Sequence, residues 1–158
     1  MNGMIPVCVF QSATEFCDKM EYKVIEDKNE LITNYVCKNL NASRDWLGFH
    51  FTYGMIVEGK LVGGLIFHDI RPNVEVWWTI YTENKRWCNR RMLKFMFALA
   101  FNALKCKRIS VAVDAKNADC LKLVKKLGFK QEGIFRFQRD DGGDNVVLGM
   151  LKTECKWL

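Results

Sequence analysis

The sequence predicts a mixed α/β domain, one sheet with helices on its faces. Two observations carry this. Three apolar, partly alternating segments follow one another across short turns at Glu58-Gly59-Lys60 and Arg71-Pro72-Asn73, which reads as a β-meander. A helix, a strand, a second helix and two more strands come after it. A meander followed by a strand–helix–strand unit needs a mixed sheet rather than a purely antiparallel one.

Each element has its own signal. Lys28–Leu40 carries Leu31, Ile32, Tyr35, Val36 and Leu40 at helical spacing. Phe51–Glu58, Leu61–Ile70 and Val74–Tyr81 are the meander strands, the last rich in β-branched and aromatic residues. A helix over about Asn89–Leu104 buries Met92, Leu93, Met96, Phe97, Ala100, Phe101 and Leu104. Arg108–Val113 is a short buried strand, and Ala118–Leu127 is a helix stopped by Gly128. Glu132–Phe137 and Val146–Leu151 are the last strands, separated by the turn-rich Asp140-Asp-Gly-Gly-Asp. Thr153–Leu158 is a tail with helical character, and residues 1–20 form a loosely assigned opening strand or arm.

The 158 residues suit a single domain, 1–158. No apolar run approaches the roughly 20 residues of a membrane span. The first residues lack the basic region of a secretory signal, so the cytoplasm is the expected compartment. Seven cysteines, Cys8, Cys17, Cys37, Cys88, Cys106, Cys120 and Cys155, are an odd count with no CxxC spacing. They read as free thiols without a metal. A net charge of +6 admits acidic partners, phosphates and nucleic acid among them, but no arginine-rich tail supports DNA binding.

Two segments add a resemblance. Ala100–Ile109 looks like the end of a central helix and the strand after it. Asn117-Ala-Asp-Cys120, followed by Val124-Lys-Lys-Leu-Gly-Phe-Lys-Gln-Glu-Gly133-Ile-Phe-Arg136, is similar to the N-x-x-S … LGF-x-x-EG-x-x-R segment of Gcn5-related N-acetyltransferases (GNAT). Within that superfamily it is closest to the branch that acetylates ribosomal-protein N-termini. The ending, from Asp141 to Leu158, is similar to small GNAT-like proteins often encoded by bacteriophages.

The resemblance covers roughly Phe51 to Leu151 and implies a mainly antiparallel sheet with a splayed central parallel pair, Val74–Tyr81 and Arg108–Val113. Acetyl-CoA would lie between these strands, its pantetheine on backbone near Ile80 and Tyr81. Its pyrophosphate would sit at the next helix N-terminus. An amine of a protein or small molecule would be the acceptor.

One departure matters. The family's glycine-rich phosphate turn has no counterpart, since no glycine occurs between Gly64 and Gly128. The matching stretch is Asn84-Lys-Arg-Trp-Cys-Asn-Arg-Arg91. The family's glycine positions fall on Lys85, Trp87, Asn89 or Arg91, and Lys85, Arg86, Arg90 and Arg91 either hold the phosphates by charge or mark a pocket that has been lost.

For chemistry, the resemblance implies a base and an acid. Glu75 occupies a position where the family often has a water-linked base. His68 would lie near the cleft mouth. Val124 stands where many members have an acidic tyrosine. Cys120 replaces the motif serine and is either a weak donor to the cofactor sulfur or a small core residue. Asn117 fits a structural or cofactor-contacting role after its strand. Three functions stay open: an acetyl-CoA-dependent N-acetyltransferase, a GNAT-like binding or virion-associated protein without cofactor, and a phage nucleobase-modifying transferase.

Overall fold

The computed structural model describes residues 22–25, 29–84 and 87–158. The expected opening arm over residues 1–20 lies outside these. In chain order the elements are β1 (Tyr22–Ile25), α1 (Asn29–Leu40), β2 (Phe51–Val57), β3 (Lys60–Arg71) and β4 (Glu75–Thr82). Then come α2 (Arg90–Ala98), β5 (Arg108–Asp114), α3 (Ala118–Leu127), β6 (Lys130–Phe135) and β7 (Asn145–Leu151). One sheet holds all seven strands in the order β1-β2-β3-β4-β5-β7-β6. Every neighbouring pair is antiparallel except β4 and β5, which run parallel, as the mixed-sheet expectation requires.

Strand alternation sends successive side chains to opposite faces, and β3 shows it. Leu65 and Phe67 enter the larger core, which α2 and α3 cover with Leu93, Met96, Phe97 and Leu127. Ile66 enters a smaller core with Ile32, Val36 and Cys37 of α1. Helices therefore lie on both faces. Gly64 lets α1 approach: a Cβ there would stand 2.5 Å from a Val36 methyl and 2.8 Å from an Ile32 methyl. Those methyls are on short β-branched chains of a packed helix and cannot swing away. Gly64→Ala should lower stability by about 1–3 kcal/mol through overpacking, read as a shifted urea midpoint.

The structure corrects several boundaries. The second helix is α-helical only to Ala98 and widens to a π-helix over Leu99–Ala103, where Leu104 N–H donates to the Leu99 carbonyl at 3.0 Å. A 3.6-residue pattern cannot reveal one wide turn. The strand expected over Glu132–Phe137 is shifted to Lys130–Phe135. Lys130 already pairs with Gly149, whereas Phe137 has φ 59° and donates its N–H to Asp144 Oδ1 at 2.8 Å. The tail holds one 3-10 turn, Lys152–Glu154. Strand β1 was missed, since four residues give too little periodicity to read.

Candidate active site

The ladder between β4 and β5 pairs Glu75 with Arg108, Val76 with Ile109, Trp77 with Ser110 and Trp78 with Val111, and ends there. Both strands continue. Thr79–Thr82 stay paired to β3, and Ala112–Asp114 stay paired to β7. The parallel strands thus separate toward their C-terminal ends and leave a cleft in the middle of the sheet. Main-chain groups that face this cleft have no ladder partner, which is the state of a strand edge ready to accept an extended ligand. Trp78, the last ladder residue of β4, packs its indole among Phe67, Phe97 and Phe129 of the larger core, and its N–H is buried with no hydrogen-bond partner among the described residues. A buried donor without an acceptor is uncommon.

On the α2 side of the sheet, the cleft leads toward the start of α2. Asn89 caps that helix, its Oδ1 accepting from Met92 N–H at 2.9 Å. Arg90 and Arg91 then supply the first turn, both exposed, with no acidic residue beside them. Two cations at a helix N-terminus oppose the helix dipole, an arrangement that an anion would relieve. Trp87 is buried in the larger core, so its side chain serves packing. Ile80 packs on that same core, while Tyr81 turns to the α1 side and meets Tyr35 edge-on at 5.7 Å. At these two positions only the main chain is placed to line the cleft. Lys85 and Arg86 lie outside the described residues.

The α1 side of the sheet holds a different set. His68 is 6% exposed and sits opposite Trp77. Its Nε2 lies 3.0 Å from Thr79 Oγ1 and its Nδ1 lies 2.7 Å from Asp69 Oδ2. Burial pulls the imidazole below its usual pKa, against the opposing influence of Asp69. A neutral ring facing a carboxylate with Nδ1 must donate there, which leaves Nε2 to accept the Thr79 hydroxyl proton. Trp46 closes over the ring edge-on at 4.9 Å. It belongs to the α1–β2 loop, which is tied to the β6–β7 loop by Ser43 N–H donating to Asp140 Oδ2 at 2.7 Å.

The remaining candidates fall elsewhere. Glu75 is at the closed end of the β4–β5 pair and is gripped by Arg71, with Arg108 Nε at 3.7 Å. Arg108 also pairs with Glu132, making a lattice that fastens the sheet where its ladder is intact. Asn117 caps α3, accepting from Cys120 N–H at 3.0 Å. Cys120 and Val124 are half-buried against the larger core, and burial pushes the Cys120 thiol up, so it stays protonated. All five described cysteines are free, and no metal-binding cluster of His, Cys, Asp and Glu occurs among the described residues. The structure gives the candidate His68 Thr79, Asp69 and Trp46 as its neighbours. Only the adjacency of Asp69 to His68 was visible in one dimension.

Comparison with known proteins agrees with this geometry. A family described as "Acetyltransferase (GNAT) domain" matches residues 11–130. No curated protein matches the chain significantly. Among solved structures, one titled "Probable acetyltransferase" is similar at 19% identity and TM-score 0.59, over 66% of this chain and 62% of that one. The chain therefore spans less than two thirds of that relative. A mutant of the spermidine N-acetyltransferase SpeG from Vibrio cholerae is similar at 14% identity and TM-score 0.66, over 87% of this chain and 96% of the other. At such identities the likeness concerns the fold. Among the described residues, no helix is long and apolar enough to cross a membrane.

Proposed function

The chain belongs to the GNAT acetyltransferases, and from that premise we propose that it transfers an acetyl group from acetyl-CoA to an amine. The observation that carries the proposal is the ladder ending at Trp78–Val111, which leaves a cleft with unpaired main chain. The residues present fit the cofactor. Main chain at Ile80 and Tyr81, beyond the end of the β4–β5 ladder, would hold the pantetheine amides. The N–H groups of Arg90 and Arg91, with their guanidinium groups, would hold the pyrophosphate. Lys85 and Arg86, a few residues earlier in the sequence, would add charge for the same anion. When bound, acetyl-CoA supplies the acyl thioester that the amine attacks.

The acceptor would approach from the α1 side, where Thr79 stands just beyond the ladder and Trp46 and Trp77 pack beside His68. A polyamine is the first acceptor to try, because a spermidine N-acetyltransferase shares the fold. The Leu127–Arg136 segment supports a further link to the branch acting on ribosomal-protein N-termini, so a peptide amine is the second. The ending after Asp141 supports a bacteriophage origin and action in the host cytoplasm. His68 suits base chemistry better than Glu75, since the Glu75 carboxylate is already engaged by two arginines.

One observation favours a second reading, a GNAT-like binding protein without cofactor: the glycine-free start of α2. Calorimetry with acetyl-CoA separates the two. The transferase reading expects saturable binding at micromolar ligand that weakens as salt is added. Silence at millimolar acetyl-CoA would leave only the binding protein.

A further inference from the structure

Resting on the acetyltransferase reading, we infer that Thr79, His68 and Asp69 form a proton relay that deprotonates the incoming ammonium group at the cleft and delivers its proton to solvent. Thr79 is the first residue of β4 beyond the β4–β5 ladder, so its hydroxyl stands where the two strands begin to part. His68 Nε2 is 3.0 Å behind it, and Asp69 Oδ2 is 2.7 Å from the other ring nitrogen. The two ends differ in environment as a relay requires. The Asp69 side chain is 67% exposed, whereas His68 is sealed beneath Trp46 and beside Trp77.

The backbone is bent to make this chain of contacts. The β3–β4 register shifts between His68 and Arg71, and Asp69 takes φ 46°. Aspartate is one of the few residues that enters the left-handed region readily, and here it brings its carboxylate back onto the preceding ring. A bulge beside a cleft commonly re-aims a side chain for use. Among the described groups, Asp69 and His50 are the ones acting electrostatically on His68. His50 is itself held by Thr33 Oγ1 and the Gly48 carbonyl. Trp46, Trp77 and Thr79 bring no charge.

The step balances. An N–H bond of the ammonium breaks and its proton goes to Thr79 Oγ1, while the Thr79 hydroxyl proton passes to His68 Nε2. The Nδ1 proton passes to Asp69 and on to water. One proton leaves the amine, one reaches solvent, and no electrons are exchanged. The freed lone pair is then available to the acyl carbon of acetyl-CoA. Thr79 is the group that meets the substrate, and His68 and Asp69 act through it.

Two measurements test this. Nitrogen-15 NMR of the ligand-free protein should show His68 neutral at about pH 7, protonated on Nδ1 and bare on Nε2. An Nε2–H tautomer or a charged ring overturns the relay. For kinetics, spermidine and a peptide with a free N-terminus are the probe amines. Thr79→Val and His68→Gln should each lower kcat about 100-fold at neutral pH. Acetyl-CoA affinity should stay within about 2-fold, a difference under half a kcal/mol. Thr79→Ser should restore the rate. Asp69→Asn keeps a residue that tolerates φ 46°, and should lower kcat by disturbing the tautomer. All three losses should shrink as pH rises toward the amine's own pKa, about 8 for the peptide α-amine and about 10 for an alkylamine such as spermidine, where free amine needs no base. A Thr79→Val rate within about 3-fold of the unaltered protein, against the usual 10²–10⁴-fold effect of a base, overturns the proposal. So does a loss that is equal at every pH. Absence of acetyl-CoA binding would sink the transferase reading, and the relay with it. Binding without transfer to either amine would sink the relay alone.

Discussion

Replacing Arg90 and Arg91 together by alanine is expected to weaken acetyl-CoA binding by about 10- to 100-fold while slightly raising the stability of the ligand-free protein. The two effects share one cause. Both guanidinium groups stand in the first turn of α2, exposed and without an acidic neighbour in that turn. The partial positive charge of the helix N-terminus makes this unfavourable in the empty protein, so alanine relieves it and also has better helix propensity. A bound pyrophosphate reverses the sign, because the same cations now face an anion. Solvent screening limits each contact, hence the modest range. Titration calorimetry at two salt concentrations, with thermal melts in parallel, reads both quantities. Unchanged affinity would show that the phosphates lie elsewhere or are absent, and the glycine-free helix start would then count against the cofactor.

The largest effect on stability is expected from Phe97→Ala, a loss of about 3–5 kcal/mol. Phe97 is fully buried at the centre of an aromatic group. It meets Trp78 at 5.1 Å, stacks on Phe101 at 6.1 Å, and lies 6.2 Å from Phe129 and 6.5 Å from Trp157. These partners come from β4, the π-segment after α2, the turn into β6, and the C-terminal tail. Truncation would leave a void that four separate segments border, and rigid aromatic rings collapse into it poorly. Domains of this size are stable by only about 5–15 kcal/mol, so the variant should unfold at far lower urea. A loss under about 1 kcal/mol, typical of a surface change, would show that this face repacks freely.

The elements most readable in the sequence were those with repeated local signals. The meander shows as alternation broken by Glu58-Gly59-Lys60, and Glu58 and Gly59 both adopt positive φ in that turn. The end of the helix Ala118–Leu127 shows as Gly128, which the structure places at φ 113°, and the structure adds Asn117 as the cap at its start. A side chain that completes its hydrogen bond within three residues, or a φ that favours one residue type, leaves its mark locally. The strand β1 and the π-segment left no such mark.

The candidate site divides in the same way. The order of elements, the missing glycines and the cations at Arg90 and Arg91 were all evident in one dimension. Asn89 and Asn117 cap α2 and α3, and Trp87 is part of the core. Glu75, an acid at an expected position, turned out to share its charge with Arg71 and with Arg108, 33 residues further on. The ending of the β4–β5 ladder depends on two strands being held apart by their outer neighbours, β3 and β7. The contact of His68 with Thr79 depends on register across the β3–β4 pair and on the bulge at Asp69. The sequence by itself determined the mixed α/β class, the Gly128 stop of α3 and the charge at the start of α2, because these rest on periodicity and near-neighbour chemistry. Only the tertiary structure decided where the sheet opens and which side chains meet there, because strand register couples residues through space that no local pattern links.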